Sequence, residues 1–271
     1  MPTVPAFERM PTDAQLLRGR RALVTGADSG IGQGIAYALA AHGASVAIDH
    51  VGPPDIAEAM AAAIAEGGGT AFALAMNVAD EEAVERGFAQ ARARMGGLDL
   101  LVNNAGVERK YALVDMPLNE WQRVLDINLT GVFLCSREAA RIMAAEPADA
   151  ACAIVNISSV HELIPWEGFS HYCATKGAVK LFAQSIAREL APLGIRVLNV
   201  APGAIATPIN ADVLADPRSR AAVEEEIPLG RWGTVEDVAA AVAWAASEQA
   251  GYVVGSTLFV DGGMTLYPRF V

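Results

Sequence analysis

Short apolar runs, rich in β-branched residues, punctuate the chain at 21–25, 45–48, 70–75, 98–102, 153–159, 195–200 and 257–260. The run at 153–159 has no polar alternation and is bounded by turn residues, as expected of a strand buried on both faces of a parallel sheet. Between the runs lie stretches with helical patterning: 33–41, 55–66, 80–95, one starting at Pro117, one from Ser170, and one ending near Ser247. Local signals mark several ends. Gly96 and Gly97 stop the third helix, Pro117 suits a first turn where its missing N–H costs nothing, and Thr234 with Asp237 forms a capping box. Strands alternating with helices predict a single α/β domain over residues 20–271, a doubly wound parallel sheet with helices on both faces. Residues 1–19 carry Pro2, Pro5 and Pro11 without sustained period and read as an irregular leader on the surface. Residues 203–230 turn polar and charged from Ile209 to Ile227, broken at Asp216-Pro217, and read as a lid over a substrate.

Composition narrows the partners. The 271 residues are 53% hydrophobic with mean hydropathy +0.30, enough for one large core. A formal charge of −11 and a pI near 4.8 repel phosphate backbones and anionic membranes, so nucleic acid is not an expected partner. No apolar run reaches the roughly 20 residues of a membrane span, and Glu8 and Asp13 sit where a signal peptide would be apolar. A cytoplasmic protein is expected. Cys135, Cys152 and Cys173 are odd in number and scattered, which fits reduced thiols rather than disulfides or a metal site.

Chemistry concentrates at the strand ends. After the first strand comes a glycine-rich turn, Gly26, Ala27, Asp28, Ser29, Gly30, Ile31, Gly32, and then a helix. Strand, glycine turn and helix N-terminus together suit a dinucleotide phosphate, because the backbone can come close and unpaired N–H groups face it; this is the signature of a Rossmann-type fold. Asp49 and His50 end the second strand. An acidic side chain there accepts from an adenosine ribose and repels a 2′-phosphate, so NAD is favoured, with NADP as the alternative. Otherwise Asp49 merely ends a strand before Gly52-Pro53-Pro54. Asn77 and Val78 end the third strand. Asn103 to Gly106 end the fourth, where amides can bond backbone across strands while Ala105 and Gly106 leave room for a cofactor. The 153–159 run delivers Ser159 to the same edge, and Tyr172 and Lys176, four apart, share one helix face. A secondary alcohol becomes a carbonyl only if a base takes its proton as hydride leaves. A phenol, with a pKa of about 10, needs a nearby ammonium such as Lys176, helped by a cationic nicotinamide, to serve as that base. Asn128, polar on an apolar face, reads by itself as a satisfied core amide. Pro202, Gly203, Ile205 and Thr207 follow the sixth strand.

Together these motifs resemble the short-chain dehydrogenase/reductase family, from about Arg20 onward: Gly26, Gly30 and Gly32; Asn103 to Gly106; Asn128; Ser159, Tyr172 and Lys176; Pro202, Gly203 and Thr207. The resemblance implies that Ser159 orients the substrate oxygen and Tyr172 exchanges the proton. It further implies that Lys176 lowers the Tyr172 pKa and binds the nicotinamide ribose, and that Asn128 holds a water passing the proton outward. Stretches around the cleft, residues 159–166, 207–211 and 261–268, resemble the glucose 1-dehydrogenase branch. That likeness implies oxidation of an aldose at C1 with NAD(P), Glu108 and His161 at the sugar, and a homotetramer. Other secondary alcohols or ketones, and an inert NAD-binding scaffold, are the alternatives. Asn77 departs from the family's usual Asp, and Ala206 stands where the glucose branch has Asn.

Overall fold

Each apolar run becomes a strand of one parallel sheet. The structure, a computed structural model, describes residues 15–145 and 151–266. The strands are β1 (Arg21–Val24), β2 (Ser45–His50), β3 (Thr70–Ala75), β4 (Leu100–Asn103), β5 (Ala153–Ile157), β6 (Arg196–Pro202) and β7 (Thr257–Val260), in the order β3-β2-β1-β4-β5-β6-β7. The order reverses between β1 and β4, which opens a crevice at the carboxyl edge there. The helices are α1 (Gly30–Ala41), α2 (Asp55–Glu66), α3 (Glu81–Met95), α4 (Leu118–Leu125), α5 (Gly131–Met143), α6 (Ser170–Leu190), α7 (Ala211–Ala215), α8 (Pro217–Glu225) and α9 (Val235–Ala246).

Residue alternation along the strands divides the core in two. Ala22, Val24, Val46 and Ile48 pack with α1, α2 and α9 on one face; Leu23, Ala47, Leu101 and Ile154 pack with α3, α5 and α6 on the other. This is the single-domain doubly wound architecture that strands buried on both faces require. α1 and α9 approach closely because Gly34 has no side chain: a Cβ there would lie 3.0 Å from Val235 Cβ. Asn103, Asn156 and Asn199 share one register row across β4, β5 and β6. Their amides form a buried ladder, Asn103 Nδ2 to Asn156 Oδ1 at 2.8 Å and Asn156 Nδ2 to Asn199 Oδ1 at 3.0 Å. Asn103 therefore bonds side chains rather than the expected backbone.

Several ends differ from the pattern-based expectation. α1 begins at Gly30 rather than 33, so the last three residues of the glycine turn already belong to the helix. β5 stops at Ile157; the Ser158 N–H still donates to the Val200 carbonyl of β6 at 2.8 Å, and Ser159 is the first residue to leave the strand. Pro117 caps α4 from an extended conformation instead of occupying its first turn. The helix after Pro117 is interrupted by a π-helical turn, Asp126–Thr130, which periodicity alone does not reveal. Of the leader, residues 1–14 lie outside the described residues. Leu17 is fully buried in the core, and its N–H donates to the His42 carbonyl at 3.0 Å, so the end of the leader is anchored rather than superficial. The capping box of Thr234 and Asp237 forms as expected. Among the described residues, no helix is long and apolar enough to cross a membrane.

Candidate active site

A cleft of about 1500 Å³ runs along the carboxyl edge of the sheet at the β1/β4 crevice. Its wall at one end is the glycine turn. Gly26 and Gly30 have φ of +55° and +52°, the left-handed region where L side chains are strained. Gly32 has no room for a Cβ, which would lie 2.5 Å from the Gly26 carbonyl and closer still to Asn104 Nδ2. Asn104 explains that crowding: its Nδ2 donates to the carbonyls of Thr25 and Gly26, both at 2.9 Å, fixing the turn against β4. Ser29 makes no side-chain cap and α1 has no acidic residue in its first turn. Its terminal N–H groups therefore face the cleft uncapped, a setting for an anion. Asp28, Ser29, Ile31, Asn77, Val78, Ala105, Gly106, Pro202, Gly203, Ile205 and Thr207 line the same cleft.

Asp49 lies under the turn, 1% exposed. Its Oδ2 accepts from the Gly26 N–H at 3.0 Å, and its Oδ1 is buried with no partner. Burial pushes this carboxyl up to about 7; the Gly26 hydrogen bond pulls down and the Asp28 charge pushes up again. The unpaired oxygen, the uncapped helix and the glycine cradle fit a dinucleotide: Asp49 would accept from a ribose hydroxyl and the α1 N-terminus would hold the pyrophosphate. His50 does not belong to this set. Strand alternation turns it to the opposite face, where it is 3% exposed and off the cleft wall.

At the other end of the cleft stand Ser159, Tyr172 and Lys176. Ser159 caps a 3-10 turn (Val160–Glu162), its Oγ accepting from the His161 N–H at 3.2 Å. The Lys176 ammonium, 6% exposed, donates to the Ile157 carbonyl at 2.7 Å and lies 5.5 Å from the Tyr172 ring centroid. The amine therefore points inward beside the phenol. Burial brings Lys176 down to about 8, opposed by the carboxylates of Glu108 and Glu162. Tyr172 lines the cleft, yet desolvation dominates and holds its phenol above the ordinary value. A hydrogen bond with Ser159 works against that rise, and the Glu108 charge adds to it. The lowering of Tyr172 expected from Lys176 is not found: burial raises the phenol, and the ammonium is directed at the Ile157 carbonyl.

Asn128 sits in the π-helical turn, 1% exposed and away from the cleft wall. Its Oδ1 accepts from the Val107 N–H and its Nδ2 donates to the Val107 carbonyl, both at 2.8 Å. The amide is a bracket for the segment that carries Glu108. Glu108 faces the Tyr172–Lys176 end, where burial raises its pKa and Lys176 lowers it. His161 stacks on Trp166 with ring centroids 4.5 Å apart, and Trp166 on Phe169 at 3.7 Å. The His161 Nδ1 lies 3.1 Å from the Ile164 carbonyl, so it carries the proton and leaves Nε2 as an acceptor in the neutral ring. The sequence places His161, Trp166 and Tyr172 around the cleft, but the stacking of the rings and the part of Phe169 in it are shown only by the fold. The part played by Thr25, whose Oγ1 accepts from the N–H groups of Asn104 and Ala105, was not legible in sequence.

Fold and cleft define a dinucleotide-dependent oxidoreductase with a serine, tyrosine and lysine at the reacting end. Comparison with known proteins specifies the class. The family model described as enoyl-(acyl carrier protein) reductase matches residues 26–265. The chain is 46% identical to 3beta-hydroxysteroid dehydrogenase 1 of Eggerthella lenta over 94% of its length and 97% of that protein. It is 40% identical to glucose 1-dehydrogenase 2 of Bacillus subtilis over 93% of its length and 97% of that protein. A short-chain type dehydrogenase/reductase from Mycobacterium marinum superposes with a TM-score of 0.87 at 38% identity, covering 94% of this chain and 99% of that one. A gluconate 5-dehydrogenase from Burkholderia cenocepacia, solved with NADP and tartrate, gives a TM-score of 0.87 at 34% identity, covering 93% and 98%. The chain belongs to the short-chain dehydrogenase/reductase family and is an NAD(P)-dependent oxidoreductase.

Proposed function

We propose that the protein oxidises a neutral polyhydroxylated secondary alcohol, an aldose such as glucose at C1 first, with NAD preferred over NADP. The observation that carries this reading is Glu108, a half-buried carboxylate on the cleft wall whose charge acts on Tyr172 and Lys176, with the His161 ring on the aromatic wall nearby. A polyol offers each a hydroxyl donor. A substrate with one hydroxyl on an apolar body would cover both acceptors and leave them unpaired, at roughly 1–3 kcal/mol each. Glu167, Glu224, Glu225 and Glu226 also line the cleft, against the cations Arg123 and Lys176, which disfavours anionic substrates.

The bound nicotinamide supplies the hydride acceptor. The chain's own residues do the rest: Ser159 orients the substrate oxygen, Tyr172 takes its proton, and Lys176 compensates the phenolate with positive charge. Asn128 holds the segment after β4 in place, and a water relay past it remains the role carried over from the family. Asp28 and Asp49 beside the ribose site support NAD, since both repel a 2′-phosphate. Exposed Leu118, Phe133 and Leu181, on α4, α5 and α6, support assembly into a homotetramer through those helices. The tail from Asp261 to Val271 is also expected to take part in that assembly; its residues 267–271 lie outside the described residues. Cytoplasmic location accords with the acidic composition.

The apolar cleft residues Ile164, Ile209 and Val213 favour one second reading, a larger apolar alcohol such as a hydroxysteroid. Initial rates with NAD and NADP against aldoses, sugar acids, hydroxysteroids and simple secondary alcohols separate the readings. Glucose or another neutral aldose is expected to give the highest kcat/KM, and Glu108→Gln to lower it at least tenfold. A steroid turned over faster than every aldose, or NADP used as well as NAD, overturns the corresponding part. Sedimentation showing only monomer at micromolar concentration refutes the assembly.

A further inference from the structure

Glu162 takes no part in the roles assigned above, yet its side chain is fully enclosed beside the reacting groups. It ends the 3-10 turn that starts from Ser159. Its Oε2 accepts from the Ser158 hydroxyl at 2.6 Å, and its Oε1 lies 3.5 Å from the Lys180 ammonium without a hydrogen bond. Lys180 stands one turn beyond Lys176 on α6, so both amines project from the same helix face toward the turn that holds the carboxylate. Lys176 itself is tied to Ile157, the residue before Ser158. Ile157 to Glu162 is thus one short segment that meets Lys176 at the Ile157 carbonyl, Lys180 at Glu162 and the reacting phenol at Ser159.

Burying a carboxylate is costly unless cations repay it, and the cations available are these two. The choice of lysine is itself informative. The chain has three lysines, Lys110, Lys176 and Lys180, against a combined lysine and arginine count of 20, so arginine is its usual cation. A lysine ammonium gives up its proton on burial far more readily than a guanidinium, so an enclosed lysine that must stay charged needs a counter-charge. The charged and titratable groups around Lys176 and Tyr172 are Glu108 from the segment after β4, His161 and Glu162 from the turn after β5, and Cys173 and Lys180 on α6. Of the two carboxylates that oppose the burial of Lys176, Glu108 faces the cleft and is open to change whenever a substrate binds. Glu162 is sealed beneath it and constant.

We propose that Glu162 is a positioning residue of the active site, an enclosed carboxylate anchored by Ser158 and divided between Lys180 and Lys176, which keeps Lys176 in its ammonium form whether or not the cleft is filled. The inference rests on the reading of Tyr172 and Lys176 as the proton-handling pair. It assigns Lys180 a part too: as the competing cation, it limits how strongly Glu162 acts on Lys176.

The three lysines make the test direct. Protein labelled with 13C at the lysine ε-carbon gives three resolvable signals, and each is followed against pH in the absence of cofactor and substrate. In the unsubstituted protein the Lys176 signal is expected to titrate near 8. In Glu162→Gln its midpoint moves down by about one pH unit, the low end of the effect of a charge a few ångströms away. In Lys180→Met it moves up, and in Glu162→Asp it stays between the unsubstituted protein and Glu162→Gln. The alkaline limb of the kcat/KM profile follows the same order. A Lys176 midpoint that is the same in all four proteins overturns the proposal, as does a shifted midpoint with an unmoved alkaline limb. Should Glu162→Gln not fold, Lys180→Met carries the test, because its side chain is 34% exposed and its removal leaves no buried cavity; an unmoved midpoint there refutes the coupling. Since the titration needs neither cofactor nor substrate, an inactive protein whose Lys176 still shifts counts against the proposed function and not against this role of Glu162.

Discussion

Replacing Asp49 with Asn tests whether a buried charge under the glycine turn is held at a cost to the fold. Asp49 is 1% exposed, one oxygen accepts from Gly26 and the other has no partner. A carboxyl whose native pKa lies above its unfolded one favours the fold while protonated and loses that contribution as pH rises through the native value. Burial carries Asp49 from 3.8 to about 7. At roughly 1.4 kcal/mol per pH unit, the ionised carboxylate costs about 4 kcal/mol above pH 7 relative to the acid form, about 2 of it accruing between pH ~5.5 and ~8.5. The Asn variant keeps the acceptor for Gly26 but places an unpaired N–H where Oδ1 was, at a cost of about 2 kcal/mol. The variant should therefore match the parent near pH 5.5 and exceed it by about 2 kcal/mol near pH 8.5. Urea unfolding at both pH values, with equal slopes, measures this. A stability difference independent of pH, or one that shrinks as pH rises, refutes the buried charge. The same variant should bind NAD more weakly by protein fluorescence, because an amide N–H cannot accept from a ribose hydroxyl.

Three further outcomes follow from the geometry. Tyr172→Phe should lower kcat by about 10²–10⁴-fold, the usual worth of a general acid–base group, while NAD still quenches the tryptophan fluorescence; unchanged turnover would remove Tyr172 from its role. Asn128→Ala strips both bonds from the Val107 backbone. It should cost about 2 kcal/mol and lower the thermal midpoint by about 4–8 °C in differential scanning calorimetry, with Asn128→Asp costing at least as much near neutral pH because its carboxylate would be buried against the Val107 carbonyl. Gly32→Ala has no space against Gly26 and Asn104 and should abolish NAD quenching at millimolar concentration; retained binding would show that the turn is softer than its packing implies.

Much of this protein was legible along the chain because the interactions concerned are local or strongly patterned. Apolar runs too uniform for one solvated face require a sheet covered on both sides, and β5 and β6 are buried throughout. The glycine turn, the i to i+4 spacing of Tyr172 and Lys176, and the capping box at Thr234 are set by near neighbours, and they form where the sequence places them except that α1 starts three residues early, inside the turn. What the sequence could not decide depends on distant backbone. His50 and Asp49 look equivalent as a dipeptide, and only the strand's alternation within the sheet sends one to the cleft and the other away. Asn128 reads as a core amide or as part of the proton path until the π-helical turn brings it against Val107. Glu162 is one more acidic residue in a turn until α6 packs over it with two lysines. Above all, spacing brings an ammonium near a phenol but says nothing of how much protein surrounds them or what the amine bonds: the fold desolvates the Tyr172 phenol and directs the Lys176 ammonium to the Ile157 carbonyl.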